Sequence, residues 1–271
     1  MCRNLANGGR QCPSHDPSKR NARRRQIYSA KQKAFLFPSF EEKRIIATPY
    51  DPEYKTFIEE ADRFANSVTD QVQIDSILRY TSHNFEEIRN YLNGKNLSRN
   101  SELKIEPEDQ TLLAENVAAI DSALSLAEPP PSHRKLYRGL AVTQAHGDIS
   151  QWVSTHFPLG KTVQQKSYMS TSLNPSVAVT FGSVGIADLG NPNEKSAIPV
   201  VFEILSKQGA PLGDQLHSVG VREQEVLLPR EAKFKVVGVT HNVKFTYGNS
   251  ESNDFNRTAT RTVIQLIDAE S

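Results

Sequence analysis

Three short motifs in the C-terminal half of the chain contain residues whose types could bind a diphosphate and break a glycosidic bond. Arg138 lies in Leu-Tyr-Arg-Gly, Ser170 begins Ser-Thr-Ser, and Glu223 and Glu225 are two residues apart in Arg-Glu-Gln-Glu-Val-Leu-Leu-Pro. An arginine fork can pair with two phosphate oxygens at once. A carboxylate beside a sugar can stabilise the positive charge that develops as an N-glycosidic bond breaks.

The spacing of the two glutamates predicts that they face the same cleft. Residues i and i+2 of a strand lie on one face of a sheet, so Glu223 and Glu225 are expected to point the same way. The Ser170 hydroxyl can donate a hydrogen bond to Glu225 and so orient its carboxylate. Thr171 and Ser172 are expected to satisfy backbone groups where their strand ends. Each motif alone also fits a structural role: a solvated arginine, a turn, or the polar face of an edge strand.

The segments around these motifs predict an α+β fold. Apolar residues at 3.6-residue spacing predict helices over 54–68, 72–80 and 85–92 and a longer helix that begins at Pro107. The proline-rich connector 128–132 ends this helical part. Strands rich in β-branched or aromatic residues are then predicted at 136–140, 166–172, 198–205, 225–228, 234–239 and 262–267. Helices followed by strands favour segregated layers over an alternating parallel sheet.

Composition excludes several classes of protein. The 271 residues are 37% hydrophobic and 23% charged, and the mean hydropathy is -0.51, which is typical of globular proteins and not of fibrous or wholly disordered chains. No apolar run approaches the roughly 18 residues needed to span a bilayer. Both cysteines, Cys2 and Cys12, lie near the N-terminus, so no disulfide framework is expected to support the fold.

The N-terminal segment differs in charge from the rest of the chain. Residues 1–35 contain nine Lys and Arg residues against one acidic residue, Asp16, whereas the remainder has 23 basic and 30 acidic residues. We interpret 1–34 as a basic, disordered arm and 35–271 as the folded domain, with a helical part at 50–128 and a β-rich core at 133–271. The arm contains no apolar run typical of a secretory signal. It is either an electrostatic arm for nucleic acid or another acidic partner, or a solvated tail.

Taken together, the motifs resemble those of the arginine–serine–glutamate class of mono-ADP-ribosyltransferases. The similarity is strongest to the clostridial-type binary-toxin enzymatic domains of the ADP-ribosyltransferase exoenzyme family, and it extends from about Tyr50 to the C-terminus. Phe181 follows Ser170 by eleven residues, where the family has an aromatic residue that packs on nicotinamide. Tyr80 and Phe85 resemble the family's helical tyrosine–asparagine motif, although Phe85 replaces a tyrosine.

This resemblance implies a helical N-terminal subdomain packed on a mixed or antiparallel two-sheet β-core. NAD is the implied co-substrate, and it would bind without a metal in the cleft between the two parts. The residues that the resemblance assigns to NAD binding are Tyr80, Phe85, Arg89, Asn90, Arg138, Gly139, Ser170, Thr171, Ser172, Phe181 and Glu225.

The resemblance also implies a division of roles between the glutamates. Glu225 would hold the ribose as nicotinamide leaves, and Glu223 would activate the guanidinium of an acceptor arginine on a target protein. Glutamate instead of glutamine at position 223 favours arginine over asparagine as the acceptor. Arg138 and Ser170 complete the catalytic set. The segment 211–222 would select the target, with Leu216 and His217 on the acceptor side.

Two other functions are compatible with the sequence. One is an NAD glycohydrolase, in which water takes the place of the acceptor. The other is an inactive relative that binds nucleic acid or a partner through the basic arm. The main expectation is a soluble bacterial or phage effector, without membrane insertion, that stays in the cytoplasm of its producer or is delivered outside.

Overall fold

The computed structural model describes residues 52–82, 85–95, 106–143, 148–175, 177–179, 197–217, 223–247 and 257–269. These residues all belong to one compact unit, which spans Glu41–Ser271. The predicted basic arm and its boundary at residue 34 lie outside the described residues and stay predictions.

The described part of the chain has five helices, and side chains cap the N-termini of two of them. The helices are α1 (Pro52–Ser67), α2 (Gln71–Tyr80), α3 (Phe85–Leu92), α4 (Pro107–Leu124) and α5 (Ile149–His156). The Asp70 side chain accepts a hydrogen bond from the backbone N–H of Val72 at the start of α2, and Asp148 does the same for Ser150 at the start of α5. Such caps satisfy backbone donors that have no partner inside the helix. No helix in the described part of the chain is long and apolar enough to cross a membrane.

The described strands form one mixed sheet of eight strands. They are β1 (Arg134–Thr143), β2 (Thr162–Gln164), β3 (Met169–Ser172), β4 (Ala197–Ser206), β5 (Ala210–Pro211), β6 (Glu225–Leu228), β7 (Lys233–Tyr247) and β8 (Arg257–Asp268). Their order is β2-β7-β8-β4-β1-β3-β6-β5. Strands β4 and β8 are parallel, and the other neighbouring pairs are antiparallel.

The continuity of this sheet corrects the expectation of two separate sheets. Strand β1 pairs along its whole length with β4 but meets β3 at a single pair, Tyr137 opposite Ser172. Beside that pair, the Arg138 side chain donates to the Ser170 carbonyl at 2.9 Å. The Arg138 side chain therefore supplies a hydrogen bond between β1 and β3, where backbone pairing is limited to one residue pair. The sheet is narrow at this point, where the predicted motifs lie close together.

The α+β organisation and the main predicted elements are confirmed. The four predicted helices correspond to α1–α4, and all six predicted strands are present, although β3 is shorter than 166–172 and β7 and β8 are longer than predicted. Helix α5 and the short strands β2 and β5 were not predicted. Strands of two or three residues are too short to show a hydrophobic period.

Two apolar clusters connect the helices to the sheet. In the first, Phe57 and Ala61 of α1 pack with residues of the long strands, among them Phe202 and Phe234. In the second, apolar residues of α2, α3 and α4 pack against β5, β6 and the start of β3. The members of the second cluster include Ile77, Tyr80, Ile88, Leu113, Ile120, Tyr168, Leu212, Leu216 and Leu227. The helical part therefore packs directly on the three-stranded end of the sheet.

A glycine before β5 allows this strand to lie close to β6. Gly209 has a φ of +96°, and a Cβ at this position would lie 2.8 Å from Leu228 Cδ2 and 2.9 Å from Val226 Cγ1. Gly160 has a similar φ of +78° but open space around it. The two positions therefore differ in crowding and share the left-handed backbone that favours glycine.

We expect Gly209→Ala to lower the free energy of unfolding by about 2–4 kcal/mol, because it adds a steric clash to backbone strain. Gly160→Ala adds only the backbone strain and should lower the free energy of unfolding by about 1 kcal/mol. Urea denaturation of both variants measures the difference. Equal losses would contradict the close packing of β5 on β6.

Candidate active site

Strands β1 and β3 bring the first two motifs into contact. Arg138 is half-buried, and its Nη1 donates to the backbone carbonyl of Ser170. Burial and the nearby charge of Arg89 lower the pKa of Arg138, while Tyr80 and Glu225 act in the opposite direction. A guanidinium remains charged under such conditions. The site therefore has the positive charge of Arg138 at the point where β1 and β3 pair.

Glu225 is the first residue of β6, and its carboxylate is buried. Its side chain is 7% exposed, and its Oε2 is in hydrogen-bonding contact with Nε2 of His217. The same nitrogen lies 3.7 Å from Oε2 of Glu223. Glu225 also interacts electrostatically with Arg138 and Tyr80. A buried carboxylate requires such partners, because its transfer from water is otherwise costly.

The two glutamates share a site for a different reason from the one predicted. Strand β6 begins at Glu225, so Glu223 is not part of a strand and strand alternation does not orient it. Gln224, between them, has a φ of 46°, in the left-handed region that non-glycine residues seldom adopt. This backbone turn, not the i, i+2 rule, brings both carboxylates to His217.

Hydrogen bonds from β3 hold this turn in place. The Ser172 hydroxyl donates to the backbone carbonyl of Glu223 at 2.6 Å and accepts from the N–H of Asn174. The Thr171 hydroxyl donates to the carbonyl of Val226 at 2.6 Å. Thr171 and Ser172 therefore satisfy backbone groups at the strand end, as expected.

The Ser170 side chain is half-buried and lies near the Tyr80 phenol, whose pKa it acts to lower. On the neighbouring strand Ser170 lies opposite Leu227, and Glu225 lies opposite Ser172. A hydrogen bond from Ser170 to Glu225 stays a prediction.

A tyrosine that the sequence analysis did not select ties the helices to this site. Tyr168 lies just before β3. Its hydroxyl donates to Oδ1 of Asp121 at 2.7 Å and to the backbone carbonyl of Val117 at 2.9 Å, and both residues lie on α4. Arg230, just after β6, pairs with Asp121 at 2.7 Å. The Tyr80 hydroxyl donates to the Tyr168 carbonyl at 3.0 Å. We call Tyr80, Asp121, Tyr168 and Arg230 the tyrosine clamp.

The other predicted NAD contacts lie around this site or outside the described residues. Arg89 is exposed on α3 and is close enough to Arg138 and Tyr80 to affect their pKa values. Phe85 is 38% exposed on the same helix, Asn90 is half-buried, and Gly139 is half-buried in β1. Phe181 lies outside the described residues. Roles in NAD binding stay predictions for all of them.

The segment before the glutamates corrects a further expectation. Leu216 is 1% exposed and belongs to the apolar cluster with Leu212 and Leu227, so it faces the core and not an acceptor. His217 also points inward and is 4% exposed. The sequence predicts His217 on the acceptor side and does not predict its contacts with the glutamates, because contacts with residues six and eight positions away depend on how the segment folds back.

Within the described part of the chain, one group of side chains could hold a metal ion. It consists of His217, Glu223 and Glu225. One ligand atom from each residue lies within 4.8 Å of the others. A reaction without a metal stays a prediction.

Comparison with known proteins identifies the family to which this arrangement is related. The model of the ADP-ribosyltransferase exoenzyme family matches residues 55–267. A search of curated protein sequences finds no match.

Solved structures with the same fold have low sequence identity. The enzymatic component C2-I of the Clostridium botulinum C2 toxin is 19% identical, with a TM-score of 0.51 over 78% of this chain and 47% of that chain. The ADP-ribosyltransferase Vis, a toxin from Vibrio splendidus, is 17% identical, with a TM-score of 0.55 over 89% of this chain and 90% of that chain. A Vis structure in complex with agmatine is 18% identical, with a TM-score of 0.51 over 84% of this chain and 91% of that chain. The chain thus spans about half the length of C2-I and most of Vis.

The left-handed residue between the glutamates can be tested by substitution. We expect Gln224→Val to lower the free energy of unfolding by about 1–3 kcal/mol, because a β-branched side chain is strained at positive φ. Gln224→Gly should cost little, since glycine adopts this backbone readily. Lys235→Val, at an exposed position of β7, is the control for a valine in ordinary strand backbone. Urea denaturation gives the values, and a tolerated valine at 224 would contradict the turn.

The buried phenol of Tyr80 predicts a pH dependence of stability. Burial is the largest cause that raises the pKa of Tyr80 from 10.0 to about 12. A raised folded-state pKa means that the stabilisation is complete below pH 10 and is lost as the pH rises toward 12. Relative to Tyr80→Phe, the wild type should lose about 1 kcal/mol between pH 9 and pH 11. Urea denaturation at several pH values measures this, and a constant difference would contradict it.

Proposed function

Because the chain belongs to the ADP-ribosyltransferase exoenzyme family, we propose that it transfers ADP-ribose from NAD to an arginine side chain of a protein and releases nicotinamide. The observation that supports this best is that Arg138, Ser170 and Glu225 lie on three neighbouring strands where the sheet narrows, with Glu223 close to Glu225. These are the residue types that a diphosphate and a ribose with developing positive charge require.

The positive side of the site supports diphosphate binding. Arg138 and Arg89 interact electrostatically across the space between β1 and α3. Two like charges near each other are unfavourable unless an anion joins them, and arginine is well suited to bind phosphate oxygens. We assign the NAD diphosphate to these two side chains, with Tyr80 forming the buried floor beside them.

The acidic side of the site supports cleavage of the bond between nicotinamide and ribose. Glu225 is rigidly placed in β6 and shielded from water, so its negative charge acts in a low-dielectric setting where it stabilises a cationic ribose strongly. Glu223 lies on the turn just before the strand. We assign to it the binding and activation of the acceptor guanidinium.

Arginine as the acceptor is supported by the carboxylate at position 223. A carboxylate can accept two hydrogen bonds from a guanidinium, which gives both charge pairing and orientation. Vis, which has the same fold, has been solved in complex with agmatine, a small molecule that carries a guanidinium. A protein target and delivery as a toxin or effector follow from the family and are part of this proposal.

The roles of the two glutamates predict different effects of substitution. Glu225→Ala should lower both NAD hydrolysis and protein labelling by at least about 100-fold, since it removes the charge that stabilises the ribose. Glu223→Gln should abolish protein labelling and spare hydrolysis. Nicotinamide release and labelled NAD with a cell lysate measure the two reactions. Glu115→Gln, at an exposed position of α4, is the control and should match the wild type.

Small acceptors separate the candidate functions. Agmatine should accelerate nicotinamide release by the wild type, whereas cadaverine, which carries an amine in place of the guanidinium, should not. Hydrolysis without any labelling or agmatine effect would indicate an NAD glycohydrolase. No reaction with NAD at all would favour an inactive relative, whose arm should then bind nucleic acid with steep salt dependence.

A further inference from the structure

His217 lies on a segment that is held in place by the sheet and by α1. The backbone N–H of Leu212 donates to the carbonyl of Glu225 at 2.9 Å, and the N–H of Leu216 donates to the carbonyl of Gly213 at 3.0 Å. A Cβ on Gly213 would lie 3.4 Å from the Cβ of Ala61 in α1. This tight packing makes residues 212–217 part of the core of the site and not a loose loop.

The imidazole of His217 contacts the two glutamates unequally. Its Nε2 is in hydrogen-bonding contact with Oε2 of Glu225, but it is 3.7 Å from Oε2 of Glu223, beyond hydrogen-bonding distance. One N–H can fix one oxygen of Glu225 and leave the second oxygen to another partner. Of these two oxygens, the one on Glu225 is therefore the one that Nε2 can bond.

The buried carboxylate of Glu225 needs a donor on this side. A carboxylate removed from water is stable where hydrogen bonds replace its lost hydration, and the Nε2–H of His217 supplies one of them. Among the described residues, the charged and titratable groups that interact with Glu225 include Arg138 of β1 and Tyr80 of α2. On its own segment Asp214 interacts with Tyr54 of α1.

We propose that His217 is the positioning residue of Glu225: its Nε2–H holds one carboxylate oxygen so that the other faces the ribose. This inference rests on the proposed function, because it assigns Glu225 to the ribose. A group that orients a catalytic side chain through a hydrogen bond is a common arrangement in active sites.

The proposal predicts a specific pattern of kinetic constants for NAD hydrolysis. His217→Ala and His217→Leu should lower kcat by about 10- to 100-fold, the loss typical of a misplaced catalytic group. KM for NAD should change little, because the diphosphate is assigned to arginines elsewhere. His217→Gln retains an N–H donor near the position of Nε2 and should recover most of the activity. His241→Ala, at an exposed position of β7, is the control and should match the wild type.

A spectroscopic measurement tests the contact without relying on activity. In protein labelled with ¹⁵N-histidine, the imidazole signals of His217 should show a proton on Nε2 at pH 7, and they should change in Glu225→Gln. His217→Ala identifies the signals. Thermal unfolding of every variant shows whether it folds, and His217→Gln keeps the test valid where alanine does not fold.

Three outcomes would overturn the proposal. They are an unchanged kcat in His217→Ala, a glutamine variant as poor as the leucine variant, and His217 signals that do not respond to Glu225→Gln. A wild type without any NAD-cleaving activity would instead contradict the proposed function. In that case the NMR signals alone decide whether His217 holds Glu225.

Discussion

The central constraint on this structure is the burial of the Glu225 carboxylate, with the half-buried carboxylate of Glu223 close to it. A charged group removed from water is stable only where hydrogen bonds and opposite charge replace the lost solvation. Glu225 is surrounded by an imidazole, a guanidinium and a phenol that come from three different parts of the chain. The strands, the helices and the segment 212–217 must all be in place before this carboxylate is accommodated, so the site is a property of the whole fold.

The tyrosine clamp makes the helical part necessary to the site. Tyr168 lies just before β3; its hydroxyl donates to α4, and its backbone carbonyl accepts from Tyr80 of α2. Arg230 ties the end of β6 to the same aspartate of α4. Because β3 and β6 carry the hydroxyl and glutamate motifs, a shift of the helices would move both. The clamp explains why a helical subdomain that supplies few catalytic groups of its own packs so closely on the sheet.

The two glutamates differ in how the backbone holds them. Glu225 lies in a strand with neighbours on both sides, which suits a group that must not move during bond cleavage. Glu223 lies on a turn with a left-handed residue beside it, held by the Ser172 hydroxyl. Backbone strain of this kind is often found at functional sites. This difference is compatible with the proposed roles, in which Glu225 contacts the ribose and Glu223 the acceptor.

The sequence by itself determined the order of helices and strands and the residues of the three motifs, because periodicity and residue chemistry are local properties. It also indicated that Thr171 and Ser172 bond to the backbone. Only the tertiary structure decided that the strands join in one sheet, that Gln224 turns Glu223 toward Glu225, and that His217 and Tyr168 belong to the site. Those features depend on contacts between residues far apart in the chain or on one backbone angle, and neither leaves a periodic pattern in the sequence.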